Sequence, residues 1–320
     1  MKRIMSAVGV LALAATLASA QQVKVEDAIA GYQKTSGVSG NINSVGSDTM
    51  NNLMTLWAEA FIKMYPNVKV QVEGKGSSTA PPALIAGTSQ FGPMSRAMRA
   101  TEIDQFESKY GYKPTQIRTS YDALAIYVNK DNPLAKLTLA QADAIFSKTR
   151  KRGGKDIKTW GDLGLSGDWA SRPMSIYGRN SASGTYGFFK EHVLRNGDYR
   201  DTVKEQPGSA SVVQGVTEDR FGIGYSGIGY RTSGVKVLAL AEADGGYFSS
   251  GSYEDVKTAK YPLNRFLYLY INKAPGKPLD PLVKEFVKLL LSKEGQEVVV
   301  KDGYLPLPAD IVKLELAKLE

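Results

Sequence analysis

Three times along the chain a short apolar run of strand length breaks into a Gly/Ser/Thr loop, and apolar residues at helical spacing follow. Ile42 to Val45 runs into Gly46-Ser47-Asp48-Thr49, after which Met50, Leu53, Met54, Trp57, Phe61 and Met64 recur on one helical face before Pro66. That stripe reads as a core-facing helix rather than a cofactor box. Val68, Val70 and Val72 alternate as a strand before Gly74-Lys75-Gly76-Ser77-Ser78-Thr79, and Pro81-Pro82 opens a helix to Ala86, proline being tolerated in a first turn. Met174 to Tyr177 leads through Gly178 to Thr185 into a helix from about Tyr186 to Arg195, closed by Asn196-Gly197. Further strands are expected at Leu124–Asn129 and Phe266–Ile271, and a helix at Leu139–Ser147. Pro281–Val300 reads as an amphipathic helix interrupted near Gly295. Strands alternating with helices over 320 residues predict a two-domain α/β fold with mostly parallel sheets flanked by helices.

The three loops share one chemistry. A Gly/Ser/Thr loop opening a helix offers backbone N–H groups without intrahelical partners, hydroxyl donors and the positive end of the helix dipole. That is an anion site, lying beyond the carboxyl ends of the strands where α/β sheets bind ligands. Arg179 adds a planar fork suited to an oxyanion. The bland reading of any one loop is a helix N-cap. Three such loops, one with an arginine, favour a bound oxyanion.

Composition removes most alternatives. With no Cys there are no disulfides, thiolate nucleophiles or Cys-based metal sites, and a single His cannot build a His-rich metal site, so no metal or cofactor is expected. His192 reads as a surface or packing residue. Gly222-Ile-Gly-Tyr-Ser-Gly227 matches a dinucleotide pattern, but Ile228-Gly229-Tyr230 follows where a helix is required, so it reads as a strand carrying Tyr225 and Tyr230. Ser233-Gly-Val-Lys236 lacks the companion motifs of an S-x-x-K enzyme. Asp122 reads as structural. The formal net charge of +8 favours capture of anions, but the only dense basic stretch, Lys148 to Lys155, reads as a loop without the interleaved aromatics of a nucleic-acid surface.

Residues 1–20 read as a secretory signal: Lys2 and Arg3, an apolar run from Ile4 to Leu17, and Ala18-Ser19-Ala20 before a cut after Ala20. An uncleaved anchor would need about 20 apolar residues. No Cys follows for a lipid anchor. An exported, periplasmic protein is expected.

At this point the chain resembles a known family, the periplasmic phosphate-binding proteins of ABC transporters (PstS). The stretches that carry the resemblance are Val45-Gly-Ser-Asp-Thr49, Gly74-Lys-Gly-Ser-Ser-Thr79, Phe91-Gly-Pro-Met-Ser-Arg96 and Gly178-Arg-Asn-Ser-Ala-Ser-Gly-Thr185, with Gly222–Gly227 and Gly303-Tyr-Leu-Pro-Leu-Pro308 in support. They occur in family order over nearly the whole mature chain. The resemblance implies a two-lobed type II periplasmic binding protein fold with the ligand in the interlobe cleft, lobe one at 41–123 and 259–320 and lobe two at 124–258. It further implies capture of desolvated phosphate by lobe closure, delivery to an ABC-transporter permease, no catalysis, and a monomer. The implied phosphate-binding residues are Ser47, Asp48 or Thr49, Ser77, Ser78, Ser95, Arg96, Arg179, Ser181, Ser183, Gly184 and Thr185.

Two positions depart from the family pattern. Arg96 stands where the best-known members carry a carboxylate that accepts the phosphate proton, as in a Ser-Arg subgroup, and Ser181 stands where an acidic residue is common. Asp48 is then a candidate proton acceptor, or else caps the helix beside it, and Arg96 is either a ligand or a salt bridge at the cleft rim. Selectivity against sulfate, molybdate or tungstate follows from which reading holds. A secreted phosphatase, or an adhesion or signalling protein on the same scaffold, are the readings from other classes.

Overall fold

The computed structural model describes residues 23–320, so the signal segment 1–20 and its cut lie outside the described residues. The first part of the chain contains β1 (Gly40–Val45), α1 (Asn51–Met64), β2 (Val68–Glu73), α2 (Ala80–Ala86), β3 (Gly92–Met94), α3 (Ala100–Tyr110) and β4 (Thr115–Asn129). The middle contains β5 (Lys136–Thr138), α4 (Leu139–Phe146), β6 (Ser175–Arg179), α5 (Gly184–His192), β7 (Lys204–Gln206), α6 (Ser209–Glu218), β8 (Gly222–Gly227), β9 (Val235–Val237), β10 (Ala239–Ala241) and α7 (Tyr253–Lys257). The chain continues with β11 (Asn264–Ile271), α8 (Pro281–Leu290), α9 (Lys293–Lys301) and α10 (Ala309–Ala317).

The apolar stripe of α1 does what its spacing requires. Leu53, Met54, Trp57 and Phe61 are fully buried. Phe61 stands edge-on to Phe286 of α8 with ring centres 5.1 Å apart, and Trp57 donates its indole N–H to the Gly295 carbonyl of α9 at 2.9 Å. Aromatic contacts among Phe146, Phe189 and Tyr225 hold α4 and α5 to β8. Among the described residues no helix is long and apolar enough to cross a membrane.

A seven-stranded sheet runs in the order β3-β11-β4-β8-β6-β7, with β9 also on β4. It is more mixed than the largely parallel expectation. β6 pairs parallel with β7 and β8, but β11 is antiparallel to β3 and β4, and β4 is antiparallel to β8 and β9. The reason is the length of β4. Its 15 residues do not stop at Leu124, where a strand was expected to start, but run straight through. β4 faces β11 as far as Ala123 opposite Asn264, then passes to β8 at Leu124 opposite Gly227. An antiparallel partner reaches such a strand from either side without the crossover helix that a parallel one needs.

The interruption expected near Gly295 lies earlier. α8 ends at Leu290, and Ser292 caps α9 by accepting the Gly295 N–H at 3.2 Å, so the break is at Leu291-Ser292. Ser292 won because its hydroxyl satisfies a first-turn donor. Tyr225 lies in β8 as expected, while Tyr230 falls in a short 3-10 turn over Ile228–Tyr230.

Candidate functional site

The strand ends deliver four hydroxyls to one point. Thr49 follows β1, Ser77 follows β2, Ser95 follows β3, and Thr185 lies in the first turn of α5 after β6. Thr49 Oγ1 and Thr185 Oγ1 are 2.8 Å apart, Thr185 Oγ1 is 3.4 Å from Ser95 Oγ, and Ser95 Oγ is 3.2 Å from Ser77 Oγ. All four residues are buried. A hydroxyl can donate or accept, so each of these contacts can be exchanged for a bond to an oxyanion without stranding a buried group.

Gly184 explains how four loops come so close. A Cβ built there would collide with the Ser77 and Ser95 hydroxyls, so only glycine lets α5 approach. Gly76 is constrained differently: its φ of 120° lies where side chains are strained, and the Ala182 carbonyl packs against it. Beside it, the Ser78 N–H donates to the Ala182 carbonyl at 3.1 Å, joining the second loop to the third.

Arg179, at the end of β6, is 1% exposed. Its Nη1 donates to Ser209 Oγ at 2.7 Å, and its Nη2 stands 3.2 Å from Asp48 Oδ2. Its Nε is buried and has no protein partner. Burial pulls the guanidinium pKa down, and the Asp48 carboxylate opposes that. Asp48 Oδ2 also accepts the Ser209 N–H at 2.8 Å, while Oδ1 takes part in no hydrogen bond among the described residues. Asp48 does not cap α1, which has no side-chain cap bond. Ser47 is buried and its hydroxyl has no protein partner.

The remaining sequence candidates make other contacts. Ser183 caps α5, accepting from the Thr185 and Tyr186 N–H groups. Ser181 is exposed. Arg96 forms a fork on Glu102, Nη1 to Oε2 at 2.7 Å and Nη2 to Oε1 at 2.6 Å, with a longer bond of 3.4 Å to Ser78 Oγ. This is the salt-bridge reading of Arg96, and it holds the Glu102 carboxyl below its ordinary range despite the upward pull of burial.

Several residues of the site were missed by sequence reasoning. Arg265 of β11 is buried, pairs with Asp122 Oδ2 at 2.7 Å, and donates to Thr185 Oγ1 at 3.0 Å and to the Ser95 carbonyl at 2.8 Å. The available signal was an arginine inside the apolar strand Asn264–Ile271, since a charge in a buried strand needs a buried partner. Ser209 opens α6 with no motif to mark it. Tyr230 and Tyr304 donate their hydroxyls to the Thr49 carbonyl at 3.2 Å and 2.8 Å, steadying the first loop from behind.

Near Tyr304, Asp302 has an unpaired buried oxygen and a single donor, Asn52. Burial raises its carboxyl to about 6, with the Asn52 bond opposing. A raised acid contributes full stability below its ordinary value and loses it as pH rises through the folded one. Asp302→Asn should therefore resist urea better than wild type at neutral pH. The two should unfold alike below about pH 3, where the wild-type carboxyl is protonated in both states.

Comparison with known proteins adds the following. A family model for the PBP superfamily domain matches residues 31–294. The phosphate-binding protein PstS of Pseudomonas aeruginosa is 57% identical over 320 residues, 100% of this chain and 99% of that protein. The protein of the same name from Staphylococcus haemolyticus is 28% identical over 285 residues, 88% of this chain and 85% of that one. In shape the chain is similar to a Clostridium perfringens protein provisionally named a phosphate ABC transporter substrate-binding protein and solved with phosphate bound. The TM-score is 0.70 at 24% identity, over 84% of this chain and 100% of that one. An ABC-type phosphate transport receptor from Vibrio cholerae has a TM-score of 0.64 at 22% identity, over 83% and 100% of the two chains.

Proposed function

Because the chain belongs to the PBP superfamily, among its phosphate-binding PstS proteins, we propose that it captures inorganic phosphate in the periplasm and presents it to the permease of an ABC transporter. It is a binding protein of the type II periplasmic fold and not an enzyme. The observation that carries the site is the convergence of the Thr49, Ser77, Ser95 and Thr185 hydroxyls on one point, next to a buried arginine with a free Nε. Neutral donors aimed at one spot stabilise an oxyanion without a full countercharge.

In this reading Ser47, Asp48, Thr49, Ser77, Ser95, Arg179 and Thr185 contact the phosphate, with backbone N–H groups of Gly184 and the neighbouring loops. Arg96, Ser78 and Ser183 hold the loops, and Ser181 lies outside. The lobes are 41–123 with 259–320, and 124–258. The handover of β4 from β11 to β8 supports that division. Closure brings Ser78 to Ala182 and Asp48 to Ser209. The protein acts as a monomer, exported by the segment before Gln21.

Selectivity rests on Asp48. Phosphate near neutral pH still carries a proton that sulfate lacks, and Asp48 Oδ1 is a carboxylate oxygen at the site without a protein donor. Asp48→Asn should weaken phosphate about tenfold or more in titration calorimetry of the phosphate-stripped protein, while sulfate binding is unchanged or improved. An unchanged preference for phosphate removes Asp48 from this role. Absence of any phosphate binding by the wild type overturns the reading as a whole.

A further inference from the structure

A cleft of about 610 Å³ lies beside the hydroxyl cluster, between the Arg96–Arg99 turn, α5 and β11. Its walls carry Arg96, Arg99, Lys190, His192 and Arg265, and Glu191 is the one acid among the lining residues. Arg96, Lys190 and Arg265 have carboxylate partners behind them, in Glu102, Asp198 and Asp122. Arg99 makes no ion pair among the described residues and is exposed.

Two features make this more than a basic surface. Arg96 is 8% exposed, and its Nε is buried with no protein partner although both terminal nitrogens are occupied. Opposite it stands Gly187 of α5. A Cβ placed on Gly187 would sit 3.7 Å from Arg96 Nε and 3.6 Å from Arg99 Nη2. Both guanidinium groups of this turn therefore face α5 where Gly187 carries no side chain, within ordinary contact distance of where a Cβ would stand. Lys190 is one helical turn farther along α5, roughly 4.5 Å at 1.5 Å per residue.

We propose that this cleft is a second oxyanion site, built for successive phosphoryl groups of a condensed phosphate such as pyrophosphate or tripolyphosphate. One phosphoryl group takes Arg96 Nε and the Arg99 fork beside Gly187, and the next reaches Lys190. Guanidinium donors favour phosphoryl oxygens geometrically as well as by charge. The site adjoins the phosphate cradle, since Gly184 and Thr185 precede Gly187 on the same helix, but shares none of its hydroxyls.

The test is calorimetry of the full mature chain, free of divalent cations, at fixed low ionic strength. Inorganic phosphate is first added to saturation, and pyrophosphate is then titrated in. One further equivalent should bind. Arg99→Gln should weaken that binding about tenfold or more, leaving phosphate affinity within about twofold of wild type. Gly187→Ala, whose Cβ fits without backbone movement, should weaken it too by filling the space between the arginines. Pyrophosphate that displaces phosphate mole for mole, an equal response to sulfate, or indifference to Arg99→Gln overturns the proposal. If the wild type binds no phosphate, the phosphate reading fails, and the pyrophosphate titration still decides the cleft.

Discussion

Arg179→Ala should weaken phosphate binding by about 2 to 5 kcal/mol, a loss between about thirtyfold and several thousandfold. The side chain is almost wholly buried, with one terminal nitrogen on Ser209, the other against Asp48, and Nε facing no protein acceptor. Truncation removes the positive charge paired with Asp48 and leaves that carboxylate repelling an anion with only Ser209 N–H to neutralise it. Arg179→Lys should recover little, because an ammonium cannot span Ser209 and Asp48 as a planar fork does. Asp48→Asn with Arg179→Ala should cost less than the two losses added, as expected for partners in contact. Titration of each variant with phosphate reads the effect directly. A loss below about tenfold would place Arg179 outside direct contact with the ligand.

The buried pair of Arg265 and Asp122 should dominate stability as Arg179 dominates affinity. The two residues face each other across β11 and β4, are 2% and 0% exposed, and are joined by bonds of 2.9 and 2.7 Å. Asp122 Oδ1 also accepts the Ile228 N–H at 3.0 Å, so one carboxylate fastens both sides of the strand handover. Removing either partner leaves a buried charge unmatched, which costs about 3–5 kcal/mol. Urea unfolding of Asp122→Ala should show that loss as a lower midpoint with an unchanged slope. Replacing both residues together, Asp122→Leu with Arg265→Met, should recover most of it, because two well-packed apolar groups carry no desolvation penalty. Phosphate affinity should not recover in that double variant, since Thr185 Oγ1 and the Ser95 carbonyl lose the Arg265 donors. Recovery of both would reduce Arg265 to a structural residue.

Periodicity made most of the elements readable. The Met/Trp/Phe stripe of α1, the valine alternation of β2 and the prolines opening α2 are local signals, and the structure follows them. The loops could be read as sites for the same reason: Gly, Ser and Thr before a helix mark unpaired donors wherever they occur. What local pattern cannot carry is partner choice. Nothing near Asp122 indicates that its cation lies at Arg265, and nothing at Ser209 indicates that Asp48 and Arg179 meet it. Arg96 shows the limit from the other side. Its motif position left a ligand and a salt bridge both open, and what local pattern could not tell is that Glu102, six residues on, takes both terminal nitrogens as α3 begins. The parallel bias in the expected sheet had the same origin, since strand–helix alternation says nothing about a 15-residue strand shared by two sets of partners.

That shared strand also sets an order of assembly. The first half of β4 and β3 find their strand partner among the described residues in β11, roughly 140 residues or more downstream of the pairing positions on β4. As the polypeptide grows, Thr115–Ala123 must wait with one edge uncovered until Asn264 and its successors exist, whereas β4's later residues can already pair with β8. Long-range closure of this kind is slow because the entropy of the intervening loop is lost before any contact rewards it. Arg265 arrives with the late strand, and Ser95 and Thr185 take its hydrogen bonds. The cradle is therefore among the last parts of the molecule to be completed, and a nascent chain cannot hold its ligand until the sheet has closed.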